Sequence, residues 1–194
     1  MLSDLLFLVK KLRNLVVFLT FIYVWYNNRM FSAGILVISD KGSRGERDDD
    51  SGPVAKECIS KLSVVTSEYA IVPDEKEVIA SILKEWVDEK GLDIIFTSGG
   101  TGLSPRDVTP EATLEIIDKV VPGLVEAIRM ETMKKKKDAI LSRAVAGIRG
   151  KCLIINLPGS PGGVRECLDV ILPVLPHALD IVSGKVWEHS HSGS

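Results

Sequence analysis

Cysteine and histidine are scarce in this chain, at three residues each among 194, and no Cys-x-x-Cys pair occurs. Cys58, Cys152 and Cys167 stand far apart, which argues against a structural zinc site and a disulfide framework. Reduced thiols in a cytoplasmic protein are the simple reading. Charge of one sign is lacking too. The formal net charge is −2, so no broad basic face is implied and nucleic acid is a poor partner. There is no internal repeat, and no linker interrupts the chain after residue 31. What is present is a hydrophobic fraction of 45%, enough for a core, on a length that fits one domain.

The first thirty residues differ from the rest. Leu15 to Tyr26 is an apolar run broken only by Thr20, with Lys10, Lys11 and Arg13 before it. That order resembles a signal peptide, yet no small-x-small cleavage site follows. The run falls short of the ~20 residues a spanning helix needs. Residues 1–30 are therefore expected to be a hydrophobic extension, an upstream translation ahead of Met30 or, less simply, a membrane anchor. Residues 31–184 are expected to form the working domain, and 185–194 a tail.

From Phe31 onward, strands and helices alternate. Gly34 to Ser39 reads as a buried strand, and Asp40 to Asp50 as a polar loop. Ser51 is placed as the N-cap of a helix reaching about Leu62, with Pro53 in its first turn. Ser67 to Val72 reads as a second strand. Pro73-Asp74 opens a helix whose apolar positions Val78, Ile79, Ile82, Leu83, Trp86 and Val87 share one face. Leu92 to Thr97 is the third strand. Helices are expected over Glu111–Val120 and Gly123–Met133, and a fourth strand over Lys151–Asn156. A last helix runs from near Gly163 toward Val182, interrupted by Pro173 and Pro176. The expected fold is a three-layer α/β/α domain with a mostly parallel sheet.

In such sheets, ligands bind beyond the carboxyl ends of the strands. Four strand ends deliver polar or glycine-rich chemistry there: Ser39-Asp40, Pro73-Asp74-Glu75, Ser98-Gly99-Gly100-Thr101-Gly102, and Asn156-Leu157-Pro158-Gly159-Ser160. Glycines lack a Cβ and admit positive φ, so successive N–H groups can face an anion. The hydroxyls of Thr101 and Ser104 add donors, and Arg106 suits phosphate oxygens. Asp107 would repel phosphate unless it holds Mg²⁺, which takes one or two carboxylates beside substrate phosphates. Asp40 and Asp74 are candidates for the same ion, with helix capping as the plain alternative. Two common nucleotide loops fail. No P-loop lysine is present. The dinucleotide fingerprint needs a third glycine where Pro105 stands, which weakens an oxidoreductase reading.

The segments Ile38-Ser39-Asp40, Ile71 to Glu75, Thr97 to Glu111, Ala139 to Ala144 and Asn156 to Pro161 together resemble the molybdenum-cofactor biosynthesis family. That family includes the molybdopterin adenylyltransferases (MogA-like) and MoaB-like relatives. The resemblance spans about Phe31 to Val182. It implies transfer of AMP from ATP to the molybdopterin phosphate, with Mg²⁺ and release of pyrophosphate. The product would pass to a molybdate-insertion enzyme. By position, Asp74 and Asp107 match the catalytic aspartates and the metal site. Asp40, Ser98, Gly99, Gly100, Thr101, Gly102, Pro158, Gly159 and Ser160 match substrate-binding positions. The family implies a homo-oligomer, a trimer or larger. A MoaB-like molybdopterin carrier or scaffold without adenylylation is the alternative. Two departures stand out. Gly162 replaces a lysine frequent in relatives, so a phosphate contact there is either missing or taken over by Arg165. Lys134 to Lys137 forms a run read as a solvated face, or as a device that steers anions. His177, in a largely apolar helix, is assigned a structural role.

Overall fold

The computed structural model describes residues 30–184. The extension and the tail lie outside the described residues. Six strands form one sheet: β1 (Phe31–Ile38), β2 (Val64–Val72), β3 (Ile94–Ser98), β4 (Lys119–Val120), β5 (Ala146–Arg149) and β6 (Cys152–Leu157). Their order is β2-β1-β3-β6-β5-β4. The first four of that order run parallel, while β5 pairs antiparallel with β6 and with β4. The helices are α1 (Asp40–Ser43), α2 (Ser51–Ile59), α3 (Lys76–Asp88), α4 (Thr109–Ile116), α5 (Pro122–Thr132), α6 (Pro161–Ile171) and α7 (Leu175–Ser183), with a 3₁₀ turn over Lys137–Leu141. Among these helices, none is long and apolar enough to cross a membrane.

The strand period of two sorts the core into two layers. Ile35 and Val37 of β1, Ile94 and Phe96 of β3, and Leu153, Ile155 and Leu157 of β6 pack with α2, α5, α6 and α7. Leu36 and Ile38, Ile95, and Cys152 and Ile154 face the other way. They meet α3 through Ile79, Leu83 and Trp86, and α4 through Ala112 and Ile116. Strands apolar on both faces are what a parallel sheet covered by helices requires.

The structure corrects the expected elements in three places. A four-residue helix, α1, occupies the start of the loop read over Asp40–Asp50, because the Ser39 hydroxyl accepts from Gly42 N at 3.1 Å. Ser51 begins α2 rather than capping it; the Asp49 carboxylate does that work, accepting from the N–H groups of Ser51 and Gly52. The helix expected to reach Val120 ends at Ile116, and the chain returns as β4. The expected interruption of the last helix falls at Leu172 to Val174 around Pro173, giving α6 and α7, while Pro176 sits in the first turn of α7.

Candidate functional site

The chain runs from β1 outward to β2 on one side, then crosses to β3 on the other. That reversal between β1 and β3 is the topological switch point of an open sheet, where a crevice opens beyond the strand ends. Asp40 follows β1 there and the glycine loop follows β3. The strand ends are stitched together. Ser39 N donates to Val72 O at 2.8 Å, Gly99 N to Leu157 O at 3.1 Å, and the Ser98 hydroxyl to Pro158 O at 3.0 Å.

Asp40 and Asp74 brace each other. Asp40 N donates to Asp74 Oδ2 at 2.8 Å, and Asp74 N donates to Asp40 Oδ1 at 3.1 Å. The Asp40 carboxylate also takes the Arg106 guanidinium as a fork, at 2.7 and 2.8 Å from Nη2 and 3.1 Å from Nε. Arg106 therefore closes on a carboxylate where a phosphate contact was expected. Its guanidinium holds the Asp40 carboxyl below the usual range, with help from the Asp74 contact. Burial pushes the Asp74 carboxyl up, and the charges of Asp40 and Asp107 add to that; the Asp40 N–H and Arg106 oppose it.

The glycine loop turns at Gly99 and Gly100, with φ of 109° and 63°. Side chains are excluded there for two reasons. Positive φ is unfavourable for any residue with a Cβ, and a Cβ on Gly99 would run into the carbonyl oxygen of Ile38. Thr109 holds the turn, its hydroxyl donating to Gly99 O at 2.9 Å and its N–H to Gly100 O at 3.1 Å. The N–H groups of Gly100, Thr101, Gly102 and Leu103 have no partner among the described residues. Four consecutive free donors on a folded loop are available to an anion, as a cradle for one requires. Both carboxylates flank it: a Cβ on Gly100 would stand 3.4 Å from Asp74 Oδ1, and one on Gly102 2.9 Å from Asp107 Oδ2. Asp107 Oδ2 accepts from Ser104 N at 2.8 Å.

Two clefts open on either side of Thr101, Gly102, Ser160 and Pro161. The first, of ≈ 480 Å³, is lined by Asp74, Ser98 to Gly102, Asp107, Gly159 and Ser160. It is also lined by Arg47, Asp48, Asp49, Asp50 and Ser51, to which sequence reasoning assigned no site role. The second, of ≈ 750 Å³, includes Arg129, Thr132, Ser142 and Glu166 beside Pro158, and takes Lys135 and Lys136 of the lysine run. Asp40, Ser104 and Arg106 line neither cleft and stand beside the loop. Arg165 turns to Glu57, at 2.7 Å, and not to either cleft. His177 is exposed on α7, away from both. All three cysteines are buried, and burial raises the Cys167 thiol to about 12. Such a thiol is a poor nucleophile. No Ser–His or Cys–His hydrogen bond occurs among the described residues. The arrangement instead suits the transfer of an anionic group between two bound molecules.

Comparison with known proteins points the same way. Residues 34–177 match the family described as "Probable molybdopterin binding domain". A molybdopterin adenylyltransferase of Helicobacter pylori is 44% identical over 157 residues, covering 80% of this chain and 89% of that protein. The molybdopterin biosynthesis enzyme MoaB of Thermus thermophilus superposes with a TM-score of 0.77 at 53% identity, covering 82% of this chain and 100% of its own. The Mog protein of Mycobacterium ulcerans gives 0.75 at 42% identity, covering 80% and 99%. A switch-point anion cradle between two carboxylates, on a fold shared at this identity, assigns the chain to the molybdopterin-binding family of molybdenum-cofactor biosynthesis.

Proposed function

We propose that this protein is a molybdopterin adenylyltransferase, joining the phosphate of molybdopterin to the AMP part of ATP and releasing pyrophosphate. The observation that carries the reading is the row of four free N–H groups at Gly100 to Leu103, beside the Asp74 and Asp107 carboxylates, of which Thr101 and Gly102 line both clefts. A transfer between two phosphorylated substrates needs two pockets meeting at one anion site. The relatives named molybdopterin adenylyltransferase, at 36–44% identity over most of this chain, support the same activity.

In the step itself, an oxygen of the pterin phosphate forms a bond to the α-phosphorus of ATP. The bond from that phosphorus to the bridging oxygen breaks, and its electrons leave with pyrophosphate. The N–H groups of Gly100 to Leu103 would hold non-bridging phosphate oxygens and need no reorientation as charge builds. The Ser98, Thr101 and Ser160 hydroxyls and the Pro158-Gly159 backbone would complete the binding surface. Asp40, with Arg106 locked against it, would hold Asp74 in place.

Mg²⁺ fits the donor set. Among the described residues no cluster of three or more His, Cys, Asp or Glu forms an all-protein metal cage. Asp74 and Asp107 each give one oxygen to a backbone N–H and keep the other. Two half-used carboxylates beside a phosphate site are what Mg²⁺ takes. Bound there, the ion would neutralise charge on the phosphates.

We extend the reading to a working domain over residues 31–184, a cytoplasmic setting, a trimer or larger assembly, and a molybdate-insertion enzyme as the consumer of the product. Exposed apolar side chains at Met130, Met133, Ile140 and Leu141 support self-association. The deciding experiment mixes the protein with ATP, Mg²⁺ and molybdopterin and measures pyrophosphate. Release by the wild type is expected, with loss of roughly 10²-fold or more in Asp107→Asn at retained pterin binding. Pterin binding without any pyrophosphate would instead make this a MoaB-like carrier or scaffold.

A further inference from the structure

One residue outside the glycine loop holds it at several points. Arg143 N donates to Thr101 O at 2.9 Å. Its Nε donates to Gly102 O at 2.7 Å and its Nη2 to Asp107 O at 2.5 Å. The remaining arm, Nη1, pairs with Glu111 at the start of α4. Arg143 itself lines neither cleft, although Ser142 and Ala144 on either side of it line the second. Its Nε and Nη2 are spent on the backbone of the loop and its Nη1 on Glu111.

The geometry of the peptide gives this a consequence. No peptide in the described residues is cis, so in each unit the C=O and N–H point to opposite sides. The main-chain N–H of Arg143 draws the Thr101 carbonyl and its Nε draws the Gly102 carbonyl, which turns the N–H groups of Gly102 and Leu103 away from it. Those are two of the four free donors. Of the two, only the Leu103 N–H depends on the side chain. The same guanidinium fixes the main chain at Asp107. A loop with glycines at 99, 100 and 102 has high backbone entropy and does not hold one direction unaided. Charge-assisted bonds are roughly twice as strong as neutral ones. A lysine offers a point charge and cannot span two carbonyls and a carboxylate in one plane.

We propose that Arg143 is the positioning residue of the proposed transfer: its guanidinium, by holding the Gly102 and Asp107 carbonyls, aims the Leu103 N–H group at the reacting phosphate and sets the Asp107 backbone. This rests on the adenylyltransferase reading for its kinetic arm and on the loop geometry alone for its binding arm. The kinetic arm compares Arg143→Lys and Arg143→Ala with the wild type by pyrophosphate release. Arg143→Lys is expected to unfold within a few degrees of the wild type but to lose roughly 10²-fold in kcat, as for a small misplacement of reacting groups. Its KM for ATP is expected to change far less. Methylguanidinium, and not methylammonium, is expected to restore part of the kcat of Arg143→Ala. A wild-type kcat in Arg143→Lys, or equal rescue by both cations, overturns the proposal.

The binding arm needs no turnover. Pyrophosphate is titrated against the wild type and Arg143→Lys while the Leu103 amide resonance is followed, with the Gly102 amide, set by the main chain of residue 143, as the internal comparison. A Leu103 shift is expected in the wild type and not in the variant. Identical Leu103 shifts in both overturn the assignment. Should the wild type shift the Leu103 amide yet release no pyrophosphate, the enzyme reading fails while the role of Arg143 stands.

Discussion

Asp49 sits in the acidic stretch ahead of α2, and its carboxylate binds three residues. Its carboxylate accepts from the N–H and hydroxyl of Ser51, from Gly52 N and from the Tyr69 hydroxyl. Burial works to raise its carboxyl, but these hydrogen bonds outweigh it and the group lies below its ordinary range. The sign follows from linkage. A depressed carboxyl contributes stability above its unfolded value, near 3.9, and loses it as pH falls through the folded value. Asp49→Ala is therefore expected to cost about 1 kcal/mol at neutral pH, the worth of a helix cap. The gap to the wild type should close below the ordinary carboxylate range. Urea unfolding at a series of pH values measures it; a gap constant down to acid pH contradicts the assignment. Nothing in the local sequence marks Asp49 over Asp48 or Asp50, because its role depends on Tyr69, twenty residues away on β2. Arg143 was hidden for the same reason. The positions of Asp74 and the glycine loop at strand ends were legible, since each comes directly after a strand, and Asp107 stands just beyond that loop.

Among the elements, β1 shows how tightly helix and sheet are fitted. A Cβ added at Gly34 would stand 2.6 and 2.7 Å from ring carbons of Trp86 on α3 and 2.8 Å from Leu92 Cδ1. Its φ is ordinary, so the barrier is packing alone. Gly34→Ala is expected to destabilise by roughly 1–3 kcal/mol through overpacking. Thermal unfolding tests this, and an unchanged midpoint would show that Trp86 yields freely. The central strands and the face of α3 could be read from the sequence, as continuous apolar runs and a 3.6-residue period. The short pieces could not. Lys119–Val120 is an exposed pair with no periodic signal. Ala146–Arg149 becomes a strand through its register with Cys152 to Ile155. Helix α1 depends on the Ser39 cap and on the neighbouring Asp74, not on propensity, since Gly42 lies inside it.

For the molecule as a whole, stability is distributed from the middle of the sheet outward. β1, β3 and β6 are covered on both faces, while β4 is a two-residue exposed edge. Amide exchange is expected to be slowest in Ile35 to Val37, Ile95 and Phe96, and Ile154 and Ile155. Lys119 and Val120 should exchange first. Equal protection across β4 and β3 would contradict this ordering. The strand order has a further result in the time domain of synthesis. β3 gains its second neighbour only from β6, which the ribosome makes after every strand but itself. Until Leu157 has emerged, a nascent chain carries Ile94 to Ser98 with one open, apolar edge. A chain truncated before β6 is thus a candidate for chaperone capture or aggregation, and the cradle that waits on Leu157 to anchor Gly99 forms only after β6 has been made.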